Sequence, residues 1–300
     1  MHSGDGSGGS RDSASSGDRA TLDQVAVGAL GQMHAENFPV ALRVLPRRAR
    51  RQLVRVYAFA RFVDDVGDEA EGDRAALLGI VRTELDAQHR GETSGLEPVR
   101  DLAPVFDAGV PLQPFADLVE ANVVDQRVHR YATFDDLLGY CALSAAPVGR
   151  IVLHLAGSAT PRNVADSDAV CAALQVLEHC QDVREDARAG RVYLSADQLQ
   201  AAGLARDLLP DALTGTRTPG PVRLVVADHV ERARAMLRDG APLVGRLRGW
   251  ARFAVAGFVA GGSATADALT AAHYDVLGRD LGPGKVATAA HTARLLTRRP

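Results

Sequence analysis

From Thr21 onward, apolar residues recur along this chain at steps of three and four. Leu53, Val56, Tyr57, Ala60 and Val63 mark one buried helix face. Leu118, Ala121, Asn122 and Asp125 follow the same spacing further on. Alternating strand patterns and Asn-Gly hairpin turns are scarce, so the pattern predicts an all-α fold. Pro46 suits the first turn of a helix running to about Asp68, and Gly91 with the 95–98 stretch separates the next two helices. Pro111 and Pro114 open another helix. Thr133 and Asp136 form a capping-box pattern ahead of the apolar run Leu137 to Leu155, which Pro147 should kink. Pro161-Arg162-Asn163 is expected to end that run, with a helix over roughly Asp166 to Arg188. A loop from Gly215 to Pro221 precedes a further helix near Arg223 to Arg238.

The charge-free stretch Phe253 to Ala266 is shorter than the about 20 residues a bilayer requires and predicts a buried helix. Residues 1–20 are rich in Gly, Ser and Asp and predict a disordered tail with no apolar core for a signal peptide. The GxGxxG match at Gly4, Gly6 and Gly9 has no strand before it and is fortuitous. No composition shift or internal repeat divides residues 21–300, which read as one domain.

Charge and cysteine content narrow the function classes. Lys plus Arg total 34 against 37 Asp plus Glu, a net charge of -3 that argues against a general nucleic-acid binder. The three cysteines form no CxxC pair, which argues against a disulfide framework or a cysteine zinc site and suits a reducing cytosol.

Asp64 and Asp68 stand four apart, on one face of a helix, with Tyr57 and Arg61 extending the same stripe backwards. Gln175, Glu178, Asp182 and Asp186 repeat that arrangement. Like charges four apart cost only a few tenths of a kcal/mol, so a solvated acidic face with Arg61 pairing Asp64 or Asp65 is one reading. Apolar flanks at Leu174, Val176, Leu177 and Val183 favour the other, in which the acids line an internal cavity. Two carboxylate stripes suit Mg²⁺, which takes hard oxygen ligands and bridges carboxylates to phosphates. A di-iron helical bundle would require Glu-x-x-His, which occurs nowhere in the chain.

The segments HAENFPVALRVLP, VYAFARFVDDVGDE, GYCALSAAPVGR and LQVLEHCQDVREDARAGRVYL, in that order, resemble the squalene/phytoene synthase family, with a looser match at YDVL. Within it, ENFPVA and Gln181 look like the bacterial hydroxysqualene synthase branch of hopanoid biosynthesis. The resemblance implies a helical bundle around a central cavity and Mg²⁺-dependent conversion of presqualene diphosphate and water to hydroxysqualene and diphosphate. Head-to-head prenyl transfer and a non-catalytic relative are the alternatives. It further implies two metal-binding aspartate pairs, Asp64 with Asp68 and Asp182 with Asp186, with Glu178 as an added ligand where the family usually has Asn. Tyr140 joins Asp64 and Asp182 as catalytic, and Phe38, Tyr57, Arg61, Gln175, Arg191 and Tyr193 are the implied substrate contacts. Gly67, inside the first aspartate motif, should weaken its helix by about 1 kcal/mol relative to Ala. A lipid substrate implies a cytoplasmic protein visiting the inner face of the plasma membrane. Lys285, Arg294, Arg298 and Arg299 around Leu295 and Leu296 would form an interfacial helix or an ordinary basic terminus.

Overall fold

The computed structural model describes residues 15–35, 45–204, 206, 209–278, 281–282 and 284–297. Helix α1 (Ser16–Ala35) begins inside the stretch expected to be disordered, so the expected boundary at residue 20 is corrected for its last five positions. Ser15 Oγ accepts the Asp18 backbone N–H at 3.1 Å, Arg19 pairs with Glu84 at 2.8 Å, and Leu22 is fully buried. These contacts supply the packing that composition alone conceals. The earlier part of the tail, with its glycine motif, lies outside the described residues, as does Phe38.

Helix α2 (Arg47–Asp68) follows Pro46 as expected. Helix α3 (Arg74–His89) is capped by Asp73, and α4 (Gln113–Asp125) carries Pro114 in its first turn. Thr133 and Asp136 form the predicted capping box of α5 (Phe134–Ser144). Pro147 divides the apolar run at Ala145, where α6 (Ala146–Leu155) starts. Two expectations differ. Pro161 does not end a run but opens α7 (Pro161–Gln181), because Thr160 caps it and proline is well suited to the first helical position. The helix expected to continue to Arg188 stops at Gln181, and α8 (Val183–Arg188) begins beyond a non-helical Asp182. The two sides of the break are anchored apart: Gln181 Nε2 donates to the Leu281 carbonyl at 2.6 Å and Arg184 Nη2 to the Gly215 carbonyl at 2.9 Å. Helices α9 (Gly220–Gly240), α10 (Gly249–Ala271) and α11 (Lys285–Thr297) complete the bundle. No strand occurs among the described residues. A single parallel bridge, Arg130 to Val192, holds Arg191 and Tyr193 beside the segment that follows α4.

The apolar side chains gather into two cores. One joins α1 to α4 around Phe59, Phe62 and Phe115, with the Phe59 and Phe115 rings edge-to-face at 5.6 Å. The other joins α5, α7, α9 and α10. Residues 134–155 and α10 are long and apolar enough to cross a membrane, yet half of each such window is buried in these cores. Leu295 and Leu296 of α11 also pack against the second core. All three cysteines are unpaired.

Candidate functional site

The first acidic motif lies near the end of α2, where α4 crosses it. Gly67 leaves room there for the Asn122 side chain. A Cβ there would lie 2.4 Å from Asn122 Oδ1, so the Asn122 side chain would have to shift. The helix weakness foreseen from sequence therefore has a packing reason. Asn122, seated in this notch, donates from Nδ2 to Asp64 Oδ1 at 3.0 Å, and Gln126 donates to the Gly67 carbonyl at 2.9 Å. Asp64 is open to solvent but enclosed by protein on most sides, and that enclosure pushes its carboxyl up to about 6. Asp68 and Asp65 add to the rise, while Asn122 and Arg61 oppose it. Arg61 chooses Asp65 rather than Asp64, at 2.8 Å, and Asp68 pairs with Arg191.

The second motif straddles the break between α7 and α8. Asp182, though exposed, is pushed up to about 6, first by desolvation from the surrounding walls and then by Asp186, Glu178 and Glu185. Asp186 Oδ2 is buried with no hydrogen-bond partner among the described residues. Its nearest potential cation is His179, whose Nδ1 lies 3.6 Å away.

Between the motifs stands an aromatic wall. The Tyr140 hydroxyl donates to Asp125 Oδ2 at 2.6 Å, and the Tyr193 hydroxyl lies 3.5 Å from Oδ1 of the same carboxylate. Tyr193 stacks on His179 at 3.6 Å and on Tyr131 at 5.8 Å. Burial raises the Asp125 carboxyl and pushes the Tyr140 phenol far above its ordinary range, so Tyr140 remains a neutral donor. Burial works against the Arg191 charge, but its bond to Asp68 more than compensates and keeps it protonated.

Both motifs open into one basin of about 430 Å³. Arg61, Asp64, Asp68, Asp182, Asp186 and Glu178 line it, together with Tyr140, Gln175, Arg191 and Tyr193. Tyr57, half-buried one turn before Arg61, is not among the lining residues. Asn122, Asp125, Ser144 and His179 also line the basin and were not foreseen as site residues, although the spacing of Asn122 and Asp125 was noted. An apolar groove of about 220 Å³ adjoins the basin and shares Ser144, Gln175 and Glu178 with it. Val148, Val152, Leu174, Val255 and Phe258 contribute to its walls.

The basin suits a hard divalent cation that arrives with an anionic ligand. Its donors are carboxylate oxygens, and Asp186 Oδ2 lacks a protein partner. Among the described residues no three His, Cys, Asp or Glu side chains converge as a ready-made chelate. This fits a cation bound through one or two carboxylates, with the remaining ligands supplied by water and phosphate.

Comparison with known proteins agrees with this geometry. Residues 32–289 match the model of the squalene/phytoene synthase family. The chain is 35% identical over 224 residues to a hydroxysqualene synthase of Rhodopseudomonas palustris, covering 73% of this chain and 74% of that one. It is 33% identical over 219 residues to a hydroxysqualene synthase of Sinorhizobium fredii, covering 72% and 73%. Among solved structures, the squalene synthase HpnC of Alicyclobacillus acidocaldarius superposes with a TM-score of 0.76 at 34% identity, over 87% of this chain and 97% of that one. With matching motifs, a matching bundle and an acidic basin beside an apolar groove, this chain belongs to the squalene/phytoene synthase family.

Proposed function

We propose that the chain is a Mg²⁺-dependent hydroxysqualene synthase, a carbon–oxygen lyase that converts presqualene diphosphate and water to hydroxysqualene and diphosphate. The observation carrying this reading is the adjacency of the carboxylate basin and the apolar groove, which share Ser144, Gln175 and Glu178 in their walls. Such a site holds a charged head and a hydrocarbon tail at once. The hydroxysqualene synthases among its relatives support the same substrate class.

Asp64 with Asp68, and Asp182 with Asp186, would hold the metal ions through one or two carboxylates each, with Glu178, which also lines the basin, as an added ligand. Bound Mg²⁺ supplies positive charge to the departing diphosphate. Arg191 adds a guanidinium beside it, from the segment that follows α8. The groove walls keep bulk water from the carbocation once the carbon–oxygen bond breaks. Tyr140 and Tyr193 line the basin, and aromatic rings beside a carbocation stabilise its positive charge. The amphiphilic substrate supports peripheral contact with the inner face of the plasma membrane and a place in hopanoid biosynthesis. Val148 and Phe258, both exposed, lie on the groove and offer an apolar entrance.

The test is presqualene diphosphate with Mg²⁺ and the folded protein, followed by gas chromatography–mass spectrometry of the extract. Hydroxysqualene is expected, and its absence overturns the reading. Farnesyl and geranylgeranyl diphosphate fed separately distinguish head-to-head transfer from this reaction.

A further inference from the structure

His179 has no assigned role, yet its surroundings determine how its ring is oriented. The side chain is almost wholly buried, and its plane is fixed by the 3.6 Å stack on Tyr193, at an interplanar angle of 12°. Nδ1 faces Asp186 Oδ2, the carboxylate oxygen without a hydrogen-bond partner, at 3.6 Å. Nε2 lies 3.2 Å from Gln175 Nε2. The amide nitrogen of Gln175 can only donate, so in this contact Nε2 of the ring is the acceptor and the ring proton sits on Nδ1. With its NH₂ toward the ring, the Gln175 amide turns its carbonyl oxygen the other way. Gln175 is one of the residues common to the basin and the groove. A carbonyl there can hold a water by one O–H and leave the water's lone pair facing the groove.

We infer that Asp186, His179 and Gln175 form an orientation relay, in which His179 is the positioning residue that fixes the capturing water and so selects alcohol over hydrocarbon. The inference rests on the hydroxysqualene reading. In the step it governs, the substrate carbon–oxygen bond breaks and its electron pair leaves with diphosphate. The water oxygen bonds to the cationic carbon, and the proton released by that water passes to the diphosphate. Without a held water, the cation loses a proton from an adjacent carbon to the same diphosphate, giving a hydrocarbon with one more double bond.

The experiment compares wild type with His179→Phe and His179→Gln on presqualene diphosphate and Mg²⁺, reading the ratio of alcohol to hydrocarbon. Phenylalanine retains a flat ring against Tyr193 but offers no acceptor, and the ratio should fall about tenfold, which corresponds to about 1.4 kcal/mol. Glutamine restores an acceptor and should recover much of the ratio. Lower turnover at an unchanged ratio overturns the relay, because a merely structural role affects amount and not kind. Should neither variant fold, ¹⁵N spectra of the imidazoles in the wild-type chain decide the matter: a proton on Nδ1 of His179 supports the relay and one on Nε2 overturns it. Wild type that yields hydrocarbon and no alcohol overturns the function reading and the relay together, whereas alcohol with an unchanged variant ratio overturns the relay alone.

Discussion

The two acidic motifs look alike in sequence and differ in how the protein holds them. The first rides an unbroken helix, and each of its three aspartates has a protein partner: Asn122 for Asp64, Arg61 for Asp65 and Arg191 for Asp68. The second sits at a helix break, where Asp182 is crowded by other carboxylates and Asp186 Oδ2 has no hydrogen-bond donor among the described residues. One motif is pre-organised by neighbours, while the other is left electrostatically unsatisfied. An incoming cation therefore has most to gain at the second motif, and the first supplies fixed geometry.

The strongest way to break this comparison is to neutralise one carboxylate from each motif. Asp64→Asn and Asp182→Asn should each lower turnover at least about a thousandfold, a barrier change of about 4 kcal/mol. Circular dichroism should show both variants folded with a melting temperature no lower than wild type, because each removes a carboxylate whose charge the fold disfavours. A variant that keeps turnover would remove its motif from the site.

Next in size is Gly67→Ala. The new methyl would displace Asn122 from Asp64, with an overpacking cost of about 1–3 kcal/mol read from denaturant melts. Turnover should fall about tenfold. Asn122→Ala in the same background should add little to that loss, as expected when both changes act on one contact.

A third measurement follows stability against pH in metal-free protein. The folded carboxyls of Asp64 and Asp182 titrate near 6, above their unfolded value of 3.8. Between those values these two groups bind more protons in the folded state than in the unfolded one, so the stability they contribute should rise as pH falls from about 7 toward 4. Asp64→Asn and Asp182→Asn should each remove part of that contribution, and variant melting curves that run parallel to wild type through this window would contradict it. The smallest effect is expected of Glu178→Gln. Removing one of the charges that crowd Asp182 should shift the Mg²⁺ concentration for half-maximal turnover a few-fold and leave saturated turnover near wild type.

Much of this was legible in the sequence because it depends on local chemistry. The period of α2 placed Asp64 and Asp68 on one face, Thr133 with Asp136 announced a cap, and Pro147 marked a break. What remained hidden depends on distant partners. The interruption at Asp182 follows from anchors at Leu281 and Gly215, about which residues 174–194 contain no signal. Gly67 read as a weakness until Asn122, far along the chain, was found against it. His179 drew no reading from the sequence, where it stands between Glu178 and Cys180. Only the packing of Tyr193 and Asp186 around it shows that it faces the basin. Tyr57 shares the stripe of Arg61 but not its exposure to the cavity, since a straight helix carries one stripe past the edge of a short basin.

The pairing of Arg191 with Asp68 carries one more consequence. A polyanion approaching this site meets a guanidinium that already has a counter-ion, so its capture is an exchange of partners and not a simple gain of one. The net affinity is then a small difference between two strong attractions, which permits the spent head group to depart after turnover.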